Sequence, residues 1–144
     1  MTIRTLWTLL FITVLQGCSD APGPQRLPEH VALDLFTAIY VDQDTNKALP
    51  LIGGELLPLF HHYRLASQIQ RQLFGLRLQQ AEVELSSTDA DFFRRRNQNM
   101  KVTIKLSGLK GDSVWQDLRQ VQVEVIDNRW KVTKLINDPW LSNG

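Results

Sequence analysis

The chain has 144 residues, of which 43% are hydrophobic and 22% charged. This balance is typical of one globular domain and excludes a disordered, collagen-like or multi-span membrane protein. Arg4 is the only charged residue before Cys18, which leaves 15 basic and 15 acidic residues after it. A formally neutral domain argues against a nucleic-acid binder, because such a protein needs a net basic surface to displace counterions from phosphates.

Residues 1–17 have the layout of a secretory signal peptide. Arg4 supplies the positive start, an apolar stretch runs from Leu6 to Leu15, and the small residue Gly17 precedes the cysteine. A transmembrane helix needs about 20 apolar residues, and this stretch has roughly half of that. We therefore predict a cleaved signal peptide rather than a permanent membrane span.

The run Leu15-Gln16-Gly17-Cys18 resembles the lipobox of bacterial lipoproteins, in which the cysteine thiol receives diacylglycerol and becomes the mature N-terminus. Cys18 is the sole cysteine, so no internal disulfide can form. The resemblance implies a lipid on Cys18 that holds the protein on a membrane of the bacterial cell envelope, facing the periplasm. An ordinary secreted protein with a free cysteine is the alternative.

The residue after the cysteine bears on the choice of membrane. By resemblance to enterobacterial sorting, where Asp in this place retains a lipoprotein at the inner membrane, Ser19 favours the outer membrane. Asp20 keeps the inner membrane open in other bacteria. Residues 18–27 hold Pro22, Gly23 and Pro24 and predict a flexible tether, which leaves residues 28–144 as a single domain.

Helical spacing of apolar residues dominates the first half of this domain. A helix is predicted to begin near Pro28, since proline is favoured in a first turn. Its apolar stripe consists of Val31, Ala32, Leu35, Phe36, Ala38 and Ile39. Asp44 is predicted to cap a second short helix. A third helix is predicted from about Leu56 to Phe74, with an apolar side of Leu59, Phe60, Tyr63, Ala66, Ile69 and Leu73.

From Leu78 onwards the apolar period changes to two, which is typical of half-buried antiparallel strands. The apolar positions are Ala81, Val83 and Leu85, then Val102, Ile104 and Leu106, then Val121, Val123 and Val125. Leu118 is out of phase with Val121, which predicts a bulge or bend near Arg119 and Gln120. Asp127-Asn128 predicts a tight turn into a fourth strand that carries Trp130 and Val132.

Helices followed by strands in meander order predict an α+β domain, with N-terminal helices packed on a curved antiparallel sheet of three to four or more strands. The opening helix with its Asp-rich bend, and the ending Val125-Ile126-Asp127-Asn128-Arg129-Trp130-Lys131-Val132, resemble the NTF2-like superfamily from Pro28 to Trp140. This resemblance implies a cone, in which the sheet wraps around the helices and leaves a cavity. Cystatin-like and unrelated α+β domains are the alternatives.

The resemblance names no activity, because NTF2-like domains serve as isomerases, dehydratases, ligand pockets and protein contacts. Candidate residues for lining the cavity are Tyr40, Tyr63, Trp115 and Trp130. The isomerase branch needs a carboxylate base and a tyrosine beside a protonated acid. Tyr40, Tyr63, Asp42 and Asp44 supply these residue types without matching that branch position by position. We therefore assign no catalytic residue and expect the two aspartates to end and cap helices.

Neither a metal nor a cofactor site is predicted. His61 and His62 are adjacent, so on a helix they point about 100° apart and cannot face one metal together. The run Arg94-Arg95-Arg96 fits a solvated loop offset by nearby aspartates, and contact with anionic lipid is the alternative.

Polar residues alternate with the apolar ones along the strands. They suit cross-strand charge pairs on an exposed sheet face, and the set is Glu82, Glu84, Lys101, Lys105 and Glu124. Many NTF2-like domains dimerise through this face, so the resemblance implies an interface here.

These features favour a non-enzymatic, membrane-anchored envelope lipoprotein that binds a protein partner or a second copy through the sheet face, and no nucleic acid. A small-ligand binder that uses the cone cavity is the second hypothesis, and an isomerase or dehydratase-type enzyme is the third. A cavity lined by converging polar groups would favour the latter two. A filled cone with an apolar outer patch would favour protein binding.

We predict that Cys18→Ser releases the protein from the membrane or leaves an unprocessed precursor, because serine has no thiol to accept the lipid. Metabolic labelling with a fatty acid, followed by membrane fractionation, measures this. A Cys18→Ser protein that still carries the label would contradict the assignment of the lipid to Cys18.

Overall fold

The computed structural model describes residues 26–88 and 98–136. The helices are α1 (Pro28–Tyr40), α2 (Thr45–Ala48), α3 (Leu56–His62) and α4 (Ala66–Gln72), with a 3₁₀ turn at Leu49–Leu51 after α2. The strands are β1 (Gln79–Thr88), β2 (Asn99–Lys110), β3 (Ser113–Ile126) and β4 (Arg129–Ile136). Within these ranges no helix is both long and apolar enough to span a bilayer. The predicted signal peptide, Cys18 and Arg94-Arg95-Arg96 lie outside the described residues.

The four strands form one antiparallel sheet in the order β1-β2-β3-β4, and α1 contacts all of them. The predicted α+β class, with N-terminal helices packed on a curved antiparallel sheet, is therefore confirmed. Register shifts interrupt the pairing of β1 with β2 and of β3 with β4. Such irregularities bend the strands that carry them, which suits a sheet curved around a helix.

The core lies between α1 and one face of the sheet, which we call the inner face. Leu35, Phe36 and Ile39 are fully buried on α1, at the helical spacing that the sequence predicts. From the sheet, the inner face contributes Met100, Val102, Ile104, Leu106, Val121 and Val123, all of them fully buried. Because side chains alternate along a strand, the residues between these belong to the opposite, outer face.

The connection after α1 is set by Asp44, as predicted. Its carboxylate Oδ1 accepts a hydrogen bond from the backbone N–H of Asn46 at 2.9 Å, which caps α2. Asp42 instead pairs with Lys47 across 3.1 Å at the surface. Both aspartates therefore occupy the structural positions expected of them.

The predicted single helix from Leu56 to Phe74 is wrong, because the chain forms α3 and α4 with a break at residues 63–65. Leu56 and Phe60 bury one side of α3, whereas Ala66 and Ile69 bury one side of α4. In one continuous helix these two pairs would point roughly a third of a turn apart, so both could not reach the same core. The break also leaves Leu59, expected in the core, 39% exposed.

The predicted bulge near Arg119 and Gln120 is also wrong. The pairing of β2 with β3 is continuous from Asn99 opposite Glu124 to Lys110 opposite Ser113. The irregularity lies between Gln122 and Val123, where β3 meets β4. Leu118 breaks the apolar period because it lies on the outer face, opposite Lys105, and not because a residue is inserted there.

Two further expectations about the strands have different outcomes. Asp127 and Asn128 both adopt positive φ, 51° and 62°, and join Ile126 directly to Arg129, which confirms the tight turn. Leu85 is in phase with Val83 but is 43% exposed, because β1 is an edge strand whose register shifts between Leu85 and Ser87.

We expect Asp44→Ala to lower the free energy of unfolding by about 0.5–2 kcal/mol, because the backbone N–H of Asn46 loses its cap. Asp44→Asn can still accept this hydrogen bond and should retain most of the stability. Denaturant unfolding of the two variants beside the parent measures the difference, and equal losses in both would contradict a capping role.

Candidate functional site

Two charged side chains lie on the inner face of the sheet. Asp117 and Arg119 belong to β3. In the strand pairing they lie opposite two residues of β2, Leu106 and Ile104, whose side chains face the helices. Arg119 Nη1 and Asp117 Oδ2 are 2.9 Å apart, and the two side chains are only 20% and 12% exposed. An ion pair so sheltered from solvent is screened less by salt than a surface pair.

Three further hydrogen bonds join this pair to the backbone. Arg119 Nε donates to the carbonyl oxygen of Phe74 at 2.9 Å, and its Nη1 donates to that of Leu118 at 2.8 Å. Asp117 Oδ1 accepts from the N–H of Leu118 at 2.8 Å. The charges of the pair are thus compensated by each other and by peptide dipoles, as sheltered charges require.

Tyr40 lies nearby at the end of α1, with its ring buried between aromatic neighbours. Its ring centroid is 5.8 Å from that of Phe74, and Phe36 lies 4.8 Å from Phe74. The Tyr40 hydroxyl donates to the carbonyl oxygen of Leu76 at 2.6 Å. Burial raises the pKa of Tyr40, the charge of Arg119 lowers it and that of Asp117 raises it.

These side chains hold residues 74–76, the segment that leads from α4 towards β1. Tyr40 binds the carbonyl of Leu76 and Arg119 binds that of Phe74. The N–H of Leu76 donates to the carbonyl of Gln70 at 2.9 Å, and the Gln70 side chain donates to the carbonyl of Ile39 at 2.9 Å. One polar network therefore joins α1, α4 and β3. We call Tyr40, Gln70, Asp117 and Arg119 the inner polar cluster.

These hydrogen bonds and the ion pair determine which reactions the inner polar cluster could support. An isomerase site of the kind considered above needs a carboxylate that can take a proton and a phenol that can donate to substrate. Here Asp117 is paired with Arg119, and the Tyr40 hydroxyl donates to a peptide carbonyl. This arrangement stabilises the backbone of the domain by joining α1, α4 and β3.

The sequence pattern did not predict Asp117, Arg119 or Gln70 as site residues. A signal for the first two was available, since both alternate in phase with Val121 and Val123 and therefore share their face. Leu118, taken there as the residue out of phase, hid this pattern. Gln70 gave no signal of its own, because burial of one polar residue on a helix depends on its neighbours in space.

The four candidate cavity residues lie in different environments. Tyr40 belongs to the core, and Trp130 on β4 and Tyr63 after α3 are half-buried against it. Trp115 lies near the beginning of β3, 39% exposed, with the Nζ of Lys110 4.4 Å from its ring centroid. Their role in lining a cavity stays a prediction.

Metal-binding residue types are scattered over the described part of the chain. Residues 26–88 and 98–136 contain no group of three His, Cys, Asp or Glu side chains placed to hold a metal ion. His61 and His62 are both exposed at the end of α3, and the His62 ring makes an edge contact with Tyr63 at 4.7 Å between centroids.

The outer face of the sheet carries the alternating polar residues that the sequence predicts. Glu84 and Lys105 lie opposite each other on β1 and β2, with their charged groups 3.3 Å apart. This confirms one predicted cross-strand pair. A shallow groove runs across this face, lined by Gln80, Glu82, Glu84, Lys105, Ser107 and Gln116 among others.

The elements define an α+β domain with a four-stranded antiparallel meander covered by helices on one face. No family model and no curated protein matches the chain. It is similar to a solved structure from Shewanella oneidensis MR-1, described as an NTF-2 like protein of unknown function. The two share 11% identity with a TM-score of 0.45, over 74% of this chain and 95% of the other. The fold class rests on the chain's own elements.

We expect Tyr40→Phe to change the dependence of stability on alkaline pH. An unfolded tyrosine ionises near pH 10, whereas burial raises the pKa of Tyr40 in the folded protein. The stability that Tyr40 contributes is therefore fully present below about pH 10 and is lost as the pH rises further.

Tyr40→Phe also leaves the Leu76 carbonyl without its partner, so this variant should be less stable by about 1–3 kcal/mol at neutral pH. Above about pH 10 the difference between parent and variant should shrink. Urea unfolding of both proteins over a pH series measures this, and a constant difference would contradict the assigned shift.

Proposed function

We propose that this protein is a lipid-anchored lipoprotein of the bacterial envelope whose domain binds a protein partner and carries out no catalysis. The observation that carries the proposal is the inner polar cluster. Its groups are bound to one another and to the protein's own backbone, between helices and sheet. A domain of this kind acts through its surfaces.

Anchoring is proposed from the lipobox-like run that ends at Cys18. Several acyl chains on one cysteine make membrane attachment nearly permanent, since each buried methylene adds about 0.8 kcal/mol. The tether of residues 18–27 spans at most roughly 36 Å when fully extended. A domain of this size has a diameter of roughly 30–35 Å. The domain therefore stays beside the bilayer that holds its lipid.

The partner is proposed to bind the outer face of the sheet. Near the β2–β3 turn, Leu109 pairs with Val114, whose side chain is 78% exposed. The charged residues Glu82, Glu84 and Lys105 lie along the same groove. Exposed apolar residues bordered by polar ones are a usual composition of a protein interface. The shape and mixed charge of this face suit either another protein or a second copy.

We expect a photo-crosslinking amino acid at Val114 to capture a protein in intact membranes. The same amino acid at Arg129, which is exposed at the β3–β4 turn, is the matched control. A discrete adduct from position 114 that is missing from position 129 supports the proposal, and its mass distinguishes a second copy from a different partner.

Two results would contradict this proposal. One is adducts of equal yield at positions 114 and 129, which would mean contact without a preferred face. The other is no adduct at 114 or at the neighbouring groove residue Gln116. Turnover of a small substrate that is lost in Arg119→Met, with folding retained, would show instead that the inner polar cluster is catalytic.

A further inference from the structure

Helix α3 exposes half of its large apolar residues. Leu56 and Phe60 are buried and attach the helix to the core. Leu57 and Leu59 flank this buried side and are 38% and 39% exposed, and Leu65, at the N-cap position of α4, is 59% exposed. His61, His62 and Arg64 are exposed among these leucines. We call Leu57, Leu59, His61, His62, Arg64 and Leu65 the α3 surface.

The core does not explain these exposed leucines. Leu56 and Phe60 already attach α3 to the core, so the exposed parts of Leu57, Leu59 and Leu65 add apolar surface beyond that attachment. Scattered single apolar residues on a surface are ordinary, whereas a patch of them marks a contact site.

Arg64 is the only Lys, Arg, Asp or Glu residue of the α3 surface. No acidic residue occurs between Glu55 and Glu82, a stretch that includes Arg64, Arg71 and Arg77, all of them exposed. Among the described residues none of these arginines forms an ion pair. The groove beside Arg64 is lined by the uncharged Thr45, Asn46 and Leu49. Glu55, at the beginning of α3, borders the surface.

We propose that the α3 surface rests on an anionic lipid bilayer, an inference that rests in turn on the proposed lipid anchor. Exposed leucines can enter the boundary between headgroups and acyl chains, while an unpaired arginine binds lipid phosphate. The outer face of the sheet is less suited to this contact, because Glu82 and Glu84 are exposed there. The short tether keeps the domain beside the membrane, and charge favours the α3 surface over the outer face of the sheet.

The test uses the full chain, lipidated and reconstituted in vesicles, with a spin label on Leu59→Cys. Because the lipid occupies Cys18, the new cysteine is the only free thiol. Val114→Cys, on the outer face of the sheet, is the matched control. The accessibility of the label to lipid-soluble oxygen is compared with its accessibility to a water-soluble nickel chelate. Both are measured in vesicles of phosphatidylcholine alone and in vesicles of equal parts phosphatidylcholine and phosphatidylglycerol.

We expect the label at position 59 to be shielded from the nickel chelate in vesicles that contain phosphatidylglycerol, and the label at position 114 to stay accessible. Equal accessibility at both positions in these vesicles would overturn the proposal. Shielding of position 59 that requires added membrane proteins, with none in pure lipid, would also overturn it in favour of an acidic protein partner.

A second measurement tests the α3 surface independently of the proposed lipid anchor. The full chain with Cys18→Ser carries no lipid, and its partition onto phosphatidylglycerol vesicles is compared with and without Arg64→Gln. Loss of one arginine contact should weaken partition about fivefold, and Arg129→Gln should leave it unchanged. A missing fatty-acid label on the parent would refute the anchor alone, whereas equal partition of Arg64→Gln and Arg129→Gln would refute the α3 surface.

Discussion

The packing of α1 against the inner face of the sheet is the contact on which the other elements depend. Its apolar stripe is fully buried, and it touches every strand. Such burial removes water from a backbone that must then find partners within the protein. At the end of α1, Gln70 satisfies the carbonyl of Ile39, and Tyr40 in turn satisfies that of Leu76. The hydrophobic contact thus determines where the polar groups of the interior lie.

This packing gives the two faces of the sheet different properties. On the inner face, Asp117 and Arg119 extend the line of buried valines and fasten the segment that leads into β1. Their charges are compensated within the domain, so they strengthen the link between layers and offer little to a ligand. On the outer face, Glu84 and Lys105 form a solvent-exposed pair beside an open groove. A partner can displace water there without unfolding any part of the core.

The proposed lipid anchor would place these surfaces beside a bilayer. The tether would keep the domain within about its own diameter of the membrane, and the α3 surface, with Arg64 and exposed leucines, differs from the mixed-charge outer face. If α3 meets the lipid, the sheet is free for a protein. The two proposals therefore assign different surfaces to the two partners, and each can fail without the other.

The sequence by itself determined the order of helices and strands, the Asp44 cap, the Asp127-Asn128 turn and the lipobox-like run, because each depends on neighbours along the chain. Only the tertiary structure decided that residues 56–74 form two helices, since Leu56 and Ile69 must reach one core from different directions. It also decided that Arg119 faces inward, because the strand pairing fixes which face each side chain takes. The inner polar cluster could not be predicted from the sequence for the same reason. Tyr40, Gln70 and Arg119 are far apart in sequence and come together only when α1 packs on the sheet.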